Sequence, residues 1–176
     1  PKNDLRILPQ GATPIDFAFD VHSEVGYRCI GAKINGKIVP LDYKLKTGDQ
    51  VEILTSKNQR PSKDWERFCI THKAKSNIRK YLNEEKRSKQ LEGKEIWERK
   101  SKKSNLHINY DNLEKVLHTL KYNNVPEFYQ QIGMGTVNVE DVITEIKKRL
   151  DPSSGVGNTV IVATPTKDYS EVARDH

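Results

Sequence analysis

The spacing of hydrophobic residues over the first thirty positions predicts a short strand followed by a helix. Apolar residues at 5, 7 and 8 suggest the strand. Thr13 and Asp16 have the spacing of a helix capping box, in which each side chain bonds the other residue's backbone N–H. His22 then falls on the same helical face as the preceding apolar residues, and Gly26 is expected to end the helix. That apolar face comprises Ile15, Ala18 and Phe19.

A β-hairpin is predicted next, because Asn35-Gly36 lies between two alternating segments and is the strongest dipeptide signal for a two-residue turn. A two-residue loop should pair Ala32 with Val39 and Ile30 with Leu41, which places these four residues on one face of the sheet. A second turn at Gly48-Asp49 leads into a further alternating strand over 51–53. The order strand, helix, hairpin, strand predicts an α+β fold of the ubiquitin-like β-grasp kind. The four residues expected on one face are Ile30, Ala32, Val39 and Leu41.

The rest of the chain up to residue 150 has the periodicity of helices. Ser62 is expected to cap a short helix, and a charge-rich helix is expected over about 71–103. Three shorter helices should follow, the first opened by a capping box at Asp111, the second at Pro126 and the third capped by Asn138. Their apolar faces can bury one another, which predicts an all-α domain.

These patterns divide the chain into four parts. We expect a β-grasp domain over 1–57, a basic helical connector over 58–104, a small helical domain over 105–150, and a linker with a flexible tail over 151–176.

Charge is concentrated in the middle of the chain. The whole sequence has a net charge of +6, yet residues 57–103 contain 16 Lys and Arg against 7 Asp and Glu. Such a basic segment suggests a polyanionic partner, most commonly nucleic acid, although a charged helix can also simply be a solvated surface. Only 35% of the residues are hydrophobic and their runs are short, which excludes a membrane span and favours a cytoplasmic protein.

Motifs for catalysis or cofactor binding are missing from the sequence. It has no nucleotide-binding glycine loop, no Cys-x-x-Cys and no pair of histidines at metal-binding spacing. Cys29 and Cys69 are expected to be reduced thiols. We therefore predict no catalytic residue, no metal and no cofactor.

Several segments, taken in order, resemble a TGS domain: PQGATPIDFAF (9–19), HSEVG (22–26), CIGAKING (29–36), VPL (39–41) and LKTGDQVEILT (45–55). TGS modules occur in threonyl-tRNA synthetases, Obg-like GTPases and long RelA/SpoT (p)ppGpp synthetase/hydrolases. The segments PSKDW (61–65), THKAKSNIR (71–79) and GMG (133–135) favour the last family. The resemblance implies the TGS and helical regulatory region of a GTP pyrophosphokinase. That family's catalytic domains lie N-terminal to this region, and its first TGS strand would precede Pro1.

The resemblance also implies how the chain would bind RNA, because the family's TGS domain receives the CCA 3′ end of uncharged tRNA on the ribosome. His22 matches the family's His-Ser/Thr-Asp/Glu-Val-Gly motif, and an imidazole can stack on an unstacked base. Tyr27 stands where the family commonly has a second histidine; it can stack but cannot carry a positive charge. Arg28 and Lys33 are expected to hold nearby phosphates.

Further contacts to the phosphate backbone are expected from Lys73, Lys75, Arg79 and Lys80. The partners are then uncharged tRNA and ribosomal RNA, with the enzyme's own catalytic domains receiving the signal and no membrane involved. Two alternatives stay open at this point. His22 could be a half-buried residue of the helix, and the module could be a protein-binding adaptor for acyl carrier protein or the catalytic domains.

Overall fold

The computed structural model describes residues 4–150, and these form two compact units that divide between Glu85 and Lys86. The first unit contains a small antiparallel sheet with helices, and the second is helical, which confirms the predicted α+β class. The helices are α1 (Pro14–Val21), α2 (Ser23–Tyr27), α3 (Trp65–Phe68), α4 (His72–Lys103), α5 (Tyr110–Thr119), α6 (Val125–Gly133) and α7 (Val139–Leu150). The strands are β1 (Cys29–Ile34), β2 (Lys37–Val39) and β3 (Val51–Thr55).

The predicted hairpin is present, and β1 lies at the centre of a sheet with the order β2-β1-β3. Ala32 pairs with Val39 as expected, and Asn35 and Gly36 both have the positive φ that a two-residue hairpin turn requires. The expected partnership of Ile30 with residue 41 is wrong, because β2 ends at Val39.

Ile30 lies on the exposed face of the sheet, opposite to the face that was predicted for it. The register of β1 against β3 shifts between Cys29 and Gly31, which is the signature of a β-bulge. One extra residue reverses the alternation, so Cys29 is buried and Ile30 is 48% exposed. Ala32 and Ile34, beyond the bulge, are both buried.

The strand predicted near residues 5–8 is wrong as well. Among the described residues this segment pairs with no strand, and Leu5 and Ile7 are 91% and 90% exposed. Alternation alone cannot form a strand, because the backbone groups need a partner to bond. The segment is instead tied by Arg6, whose Nη1 donates to Asp20 Oδ2 at 3.3 Å.

The helix predicted from Thr13 to about Gly26 is two helices. α1 ends at Val21, and His22 has an extended backbone that begins α2. The prediction that His22 belongs to the apolar helical face is therefore wrong. Gly26 lies instead within α2, where a Cβ would be only 2.3 Å from the Phe19 ring, so its lack of a side chain permits close packing.

The core of the first unit joins α1, β1, α3 and the beginning of α4. The fully or almost fully buried residues of this core are Ile15, Ala18, Phe19, Cys29, Trp65, Cys69, Ala74 and Ile78.

The predicted cap of α3 is wrong. Ser62 is not the cap, because the helix begins one turn later, at Trp65, with Asp64 at the N-cap position.

The second unit packs the later part of α4 with α5, α6 and α7 around Trp97 and Phe128, whose rings meet edge to face at 5.2 Å. The predicted cap at Asp111 is wrong, because Asn109 Oδ1 accepts from the Asn112 N–H at 2.9 Å and α5 begins at Tyr110. Asn138 does cap α7, accepting from the Glu140 N–H at 3.1 Å. Over residues 4–150, no helix has the length and apolarity needed to cross a membrane. The predicted linker and tail lie outside the described residues.

Candidate nucleic-acid interface

His22 forms the junction between α1 and α2 and is exposed to solvent. Its backbone N–H donates the last hydrogen bond of α1, to Ala18 O, at 3.1 Å. Its ring then caps α2, because Nδ1 accepts from the Glu24 N–H at 3.1 Å. The ring therefore competes for a backbone donor that a continuous helix would use, which explains the break at this position.

This capping bond fixes the chemistry that the His22 ring offers. Because Nδ1 is an acceptor, the proton of a neutral ring lies on Nε2. The imidazole is thus held at one nitrogen, presents an N–H donor at the other, and keeps an exposed aromatic face. These are the features needed to stack on an unpaired base and to donate a hydrogen bond to it.

Tyr27, at the other end of α2, is held by packing. Its hydroxyl donates to Asn77 Oδ1 at 3.2 Å, and its ring lies edge to face on Phe19 and tilted against Tyr81. Burial raises the pKa of the Tyr27 hydroxyl, and the negative charges of Glu84 and Glu24 raise that pKa further. The side chain joins α2 to α4 and keeps its proton.

Arg28 and Lys33 occupy different elements. Arg28 follows α2 directly, and its guanidinium pairs with Glu24 at 3.3 Å, so α2 brings Arg28 and the His22 cap into one short segment. This exposed pair is expected to exchange readily for another anion. Lys33 lies on β1, paired in register with Ile38 and Glu52, and its side chain alternates with the buried residues Ala32 and Ile34.

The cations at the start of α4 are placed on two sides of the helix. Lys73 is exposed and its Nζ is 3.5 Å from Asp20 O, while Arg79 forms an ion pair with Glu66 of the preceding helix. Lys80 lies two turns from Lys73 on the same side and has no ion-pair partner among the described residues. Lys75 lies toward Cys69, where burial is the largest influence on the pKa of the thiol and raises it, and the Lys75 charge opposes part of that rise. The four predicted phosphate contacts therefore do not form one cluster.

Asp16 is the residue whose importance the sequence only partly indicated. Its carboxylate is 1% exposed and accepts from the Thr13 N–H at 2.9 Å, as a capping box requires. It also accepts from the Thr13 hydroxyl at 3.2 Å. It also accepts from the Ile70 N–H at 3.1 Å, the Thr71 N–H at 2.9 Å and the Thr71 hydroxyl at 2.8 Å. One carboxylate thus joins the start of α1 to the start of α4, a partnership across more than fifty residues that local spacing cannot indicate.

The two cysteines are buried in the core of the first unit. Burial raises the pKa of each thiol to about 11, so both are protonated near neutral pH. Within residues 4–150, no group of three His, Cys, Asp or Glu side chains is close enough to hold a metal ion.

Comparison with known proteins identifies both units. Residues 1–55 match the TGS domain family, and residues 81–147 match the RelA/SpoT AH domain family. The chain is homologous to the TGS and AH region of RelA/SpoT GTP pyrophosphokinases. It is 40% identical over 157 residues to the bifunctional (p)ppGpp synthase/hydrolase RelA of Mycobacterium tuberculosis, covering 85% of this chain and 21% of that protein.

Other relatives agree with this assignment. A GTP pyrophosphokinase of Myxococcus xanthus is 54% identical over 110 residues, covering 62% of this chain and 14% of its own length. That of Escherichia coli is 37% identical over 160 residues, covering 88% of this chain and 21% of its own length. The chain thus spans about a fifth of the length of most of the RelA/SpoT relatives it matches, and the matched part is their regulatory TGS and AH region.

Proposed function

We propose that this RelA/SpoT region senses uncharged tRNA by binding its single-stranded CCA 3′ end on the ribosome. In this proposal the TGS domain, taken as residues 1–57, binds the RNA. The basic connector over 58–104 and the helical domain over 105–150 relay the bound state to N-terminal catalytic domains in the cytoplasm. The chain itself carries out no catalysis in this scheme.

The exposure of His22 is the observation that carries the proposal. A buried ring at this position would be unable to meet RNA. The observed ring is exposed, and within residues 4–150 it is held by a single hydrogen bond, through Nδ1. An imidazole fixed in this way loses little side-chain entropy when a base stacks on it, which favours binding of an unpaired nucleotide.

Cations near this ring support binding to a polyanion. Arg28 is at the far end of the same five-residue helix, and Lys73 is hydrogen-bonded to the backbone of Asp20, two residues before His22. Contacts from such residues to phosphates would position the RNA without reading its sequence, and they would make binding sensitive to salt. Lys33, Lys75, Arg79 and Lys80 are assigned secondary phosphate contacts.

Discrimination against aminoacyl-tRNA is proposed to rest on the terminal ribose. An esterified amino acid adds bulk and a positively charged amine, which the Arg28 guanidinium would repel. Binding can shift the linked catalytic domains only through a difference in affinity between their two states. The sensor therefore requires that charged and uncharged tRNA bind with different affinities.

The experiment compares deacylated and aminoacylated tRNA in fluorescence-anisotropy titrations against this chain. The informative variant is His22→Asn, because an asparagine can still cap α2 through its side-chain oxygen while it removes the aromatic ring. We expect this variant to bind deacylated tRNA about tenfold more weakly, since stacking contributes on the order of 1–3 kcal/mol per base. His107→Asn, which changes an exposed histidine of the second unit, is the matched control.

Equal affinity for the two tRNA forms would rule out the sensor, and an unaltered affinity in His22→Asn would rule out the assigned role of the ring. Displacement of bound tRNA by acyl carrier protein, with tighter binding of that protein, would favour the adaptor alternative.

A further inference from the structure

An open groove between α4 and α6 lies within the helical unit and has no role in the proposal above. Its volume is about 350 Å³, and its lining is Arg87, Gln90, Leu91, Lys94, Pro126 and Tyr129. The four residues of α4 recur at i, i+3, i+4 and i+7, which places them along one stripe of the helix. One wall of the groove is therefore a continuous stripe of α4, and this stripe faces the first two turns of α6.

Two glycines bring these helices together. A Cβ on Gly93 would lie 1.7 Å from the Tyr129 carbonyl oxygen, and a Cβ on Gly133 would lie 2.1 Å from the Lys89 carbonyl oxygen. Only residues without side chains permit such a backbone approach. The close crossing holds Leu91 opposite Pro126 and Tyr129. The groove is therefore formed by the packing of the two helices and needs no ligand to open it.

The groove combines an apolar floor with a cation at each end. Leu91 is 65% exposed and lines the floor with Pro126 and Tyr129. Arg87 has no ion-pair partner within residues 4–150, and Lys94 forms an exposed ion pair with Glu98 at 3.8 Å, of a kind that contributes little and can exchange for another carboxylate. The two cations are seven residues apart, or about 10 Å along the helix axis.

We infer that this groove binds an acidic amphipathic peptide segment of a partner protein. An apolar side chain of the segment would cover Leu91 and Pro126, and carboxylates about two helical turns apart would pair with Arg87 and Lys94. Charge complementarity selects an acidic occupant, and the aliphatic floor selects a peptide over RNA, because bases stack on aromatic rings and only Tyr129 supplies one.

The test uses a fluorescein-labelled synthetic helix of about four turns, with leucines on one face flanked by glutamates seven residues apart. Binding to the full 176-residue chain is measured by anisotropy and mapped by amide chemical shifts in NMR spectra. We expect saturable binding that shifts Leu91 and Tyr129, and a loss of at least about tenfold in affinity for Leu91→Glu and for Arg87→Glu with Lys94→Glu. A peptide with glutamine in place of glutamate should show a similar loss of affinity for the unmodified chain.

Two control variants separate this site from general charge and hydrophobicity. Lys102→Glu makes the same type of charge change at an exposed position of α4, and Met134→Ala removes an exposed apolar side chain just after α6. Both should bind the peptide as the unmodified chain does. No binding, or equal binding by Leu91→Glu, would overturn the proposal.

Two further results would also overturn the proposal by assigning the groove to another occupant. Deacylated tRNA could shift Leu91 and Tyr129 in the same spectra, or Leu91→Glu could abolish self-association in sedimentation equilibrium. The proposal stands or falls independently of tRNA sensing at His22, because none of its variants lies in the TGS domain.

Discussion

At the scale of single residues, Asp16 has the clearest structural role in the first unit. Its buried carboxylate accepts hydrogen bonds from the backbone N–H groups of Thr13, Ile70 and Thr71. A buried charge is stable only when it is hydrogen-bonded, and here the bonds come from two distant segments. The residue therefore holds the start of α4 against the start of α1.

Replacing Asp16 by asparagine is expected to lower the free energy of unfolding of the first unit by about 2–3 kcal/mol. The amide has one acceptor oxygen and would direct an NH₂ group toward donors, leaving buried N–H groups unpaired. Urea unfolding followed by the fluorescence of Trp65 in a Trp97→Phe background measures this loss, because Trp65 is buried in the same core as Asp16. Asp42→Asn, at an exposed carboxylate, should leave the urea midpoint nearly unchanged, and an equal shift in both variants would contradict the assigned role.

At His22, the sequence predicted a function but not the local structure. RNA binding, predicted from its residue type and motif, stays a prediction, whereas the apolar helical face on which periodicity placed it is wrong. The ring is exposed because it caps α2, and a side-chain-to-backbone bond of this kind leaves no signal in the spacing of apolar residues. The packing of Tyr27 against α4 could not be predicted from the sequence either, because its hydrogen-bond partner Asn77 is fifty residues away.

At the scale of elements, local rules predicted those features whose causes are local. The Asn35-Gly36 hairpin and the long helix α4 formed as expected, because turn geometry and helical periodicity depend on neighbouring residues. The bulge at Cys29–Gly31 and the unpaired segment at Leu5 and Ile7 were not predictable, because both depend on what β1 and the N-terminal segment pair with in space.

The crossing of α4 and α6 gives a test at this scale. Gly93→Ala should lower the unfolding free energy of the helical unit by about 2 kcal/mol, although alanine favours a helix by about 1 kcal/mol over glycine. The added Cβ would meet the Tyr129 carbonyl, and two backbones cannot adjust as a flexible side chain can. Thermal unfolding by circular dichroism measures the change.

Ser88→Ala provides the matched control for this crossing, because it also adds helix propensity on α4 but at an exposed position. It should raise the melting temperature slightly. A rise of similar size in Gly93→Ala would show that the helices do not cross as closely as described.

At the scale of the whole molecule, the buried hydrophobic residues form two separate clusters, one in each unit. Only 35% of the residues of the chain are hydrophobic, below the usual share of about 45–50%, which fits two small cores better than one large core. The excess of basic residues over 57–103 predicts a polyanionic partner, and this stays a prediction. It could not indicate that Arg79 would be paired with Glu66 while Lys80 stays without an ion pair in the described part of the chain.

The two clusters make a final prediction possible, because each contains one of the two tryptophans. Trp65 is buried with the TGS sheet and Trp97 with α5–α7. In a Trp97→Phe background, fluorescence reports the first unit alone, and in a Trp65→Phe background it reports the second. We expect Asp16→Asn to shift the urea midpoint of the Trp65 signal much more than that of the Trp97 signal, and Gly93→Ala to do the reverse. Each change acts on contacts within one core, and effects at distant sites are usually additive. Coincident shifts of both signals in both variants would mean that the chain unfolds as a single cooperative unit, and separate buried clusters would then be no guide to separate stability.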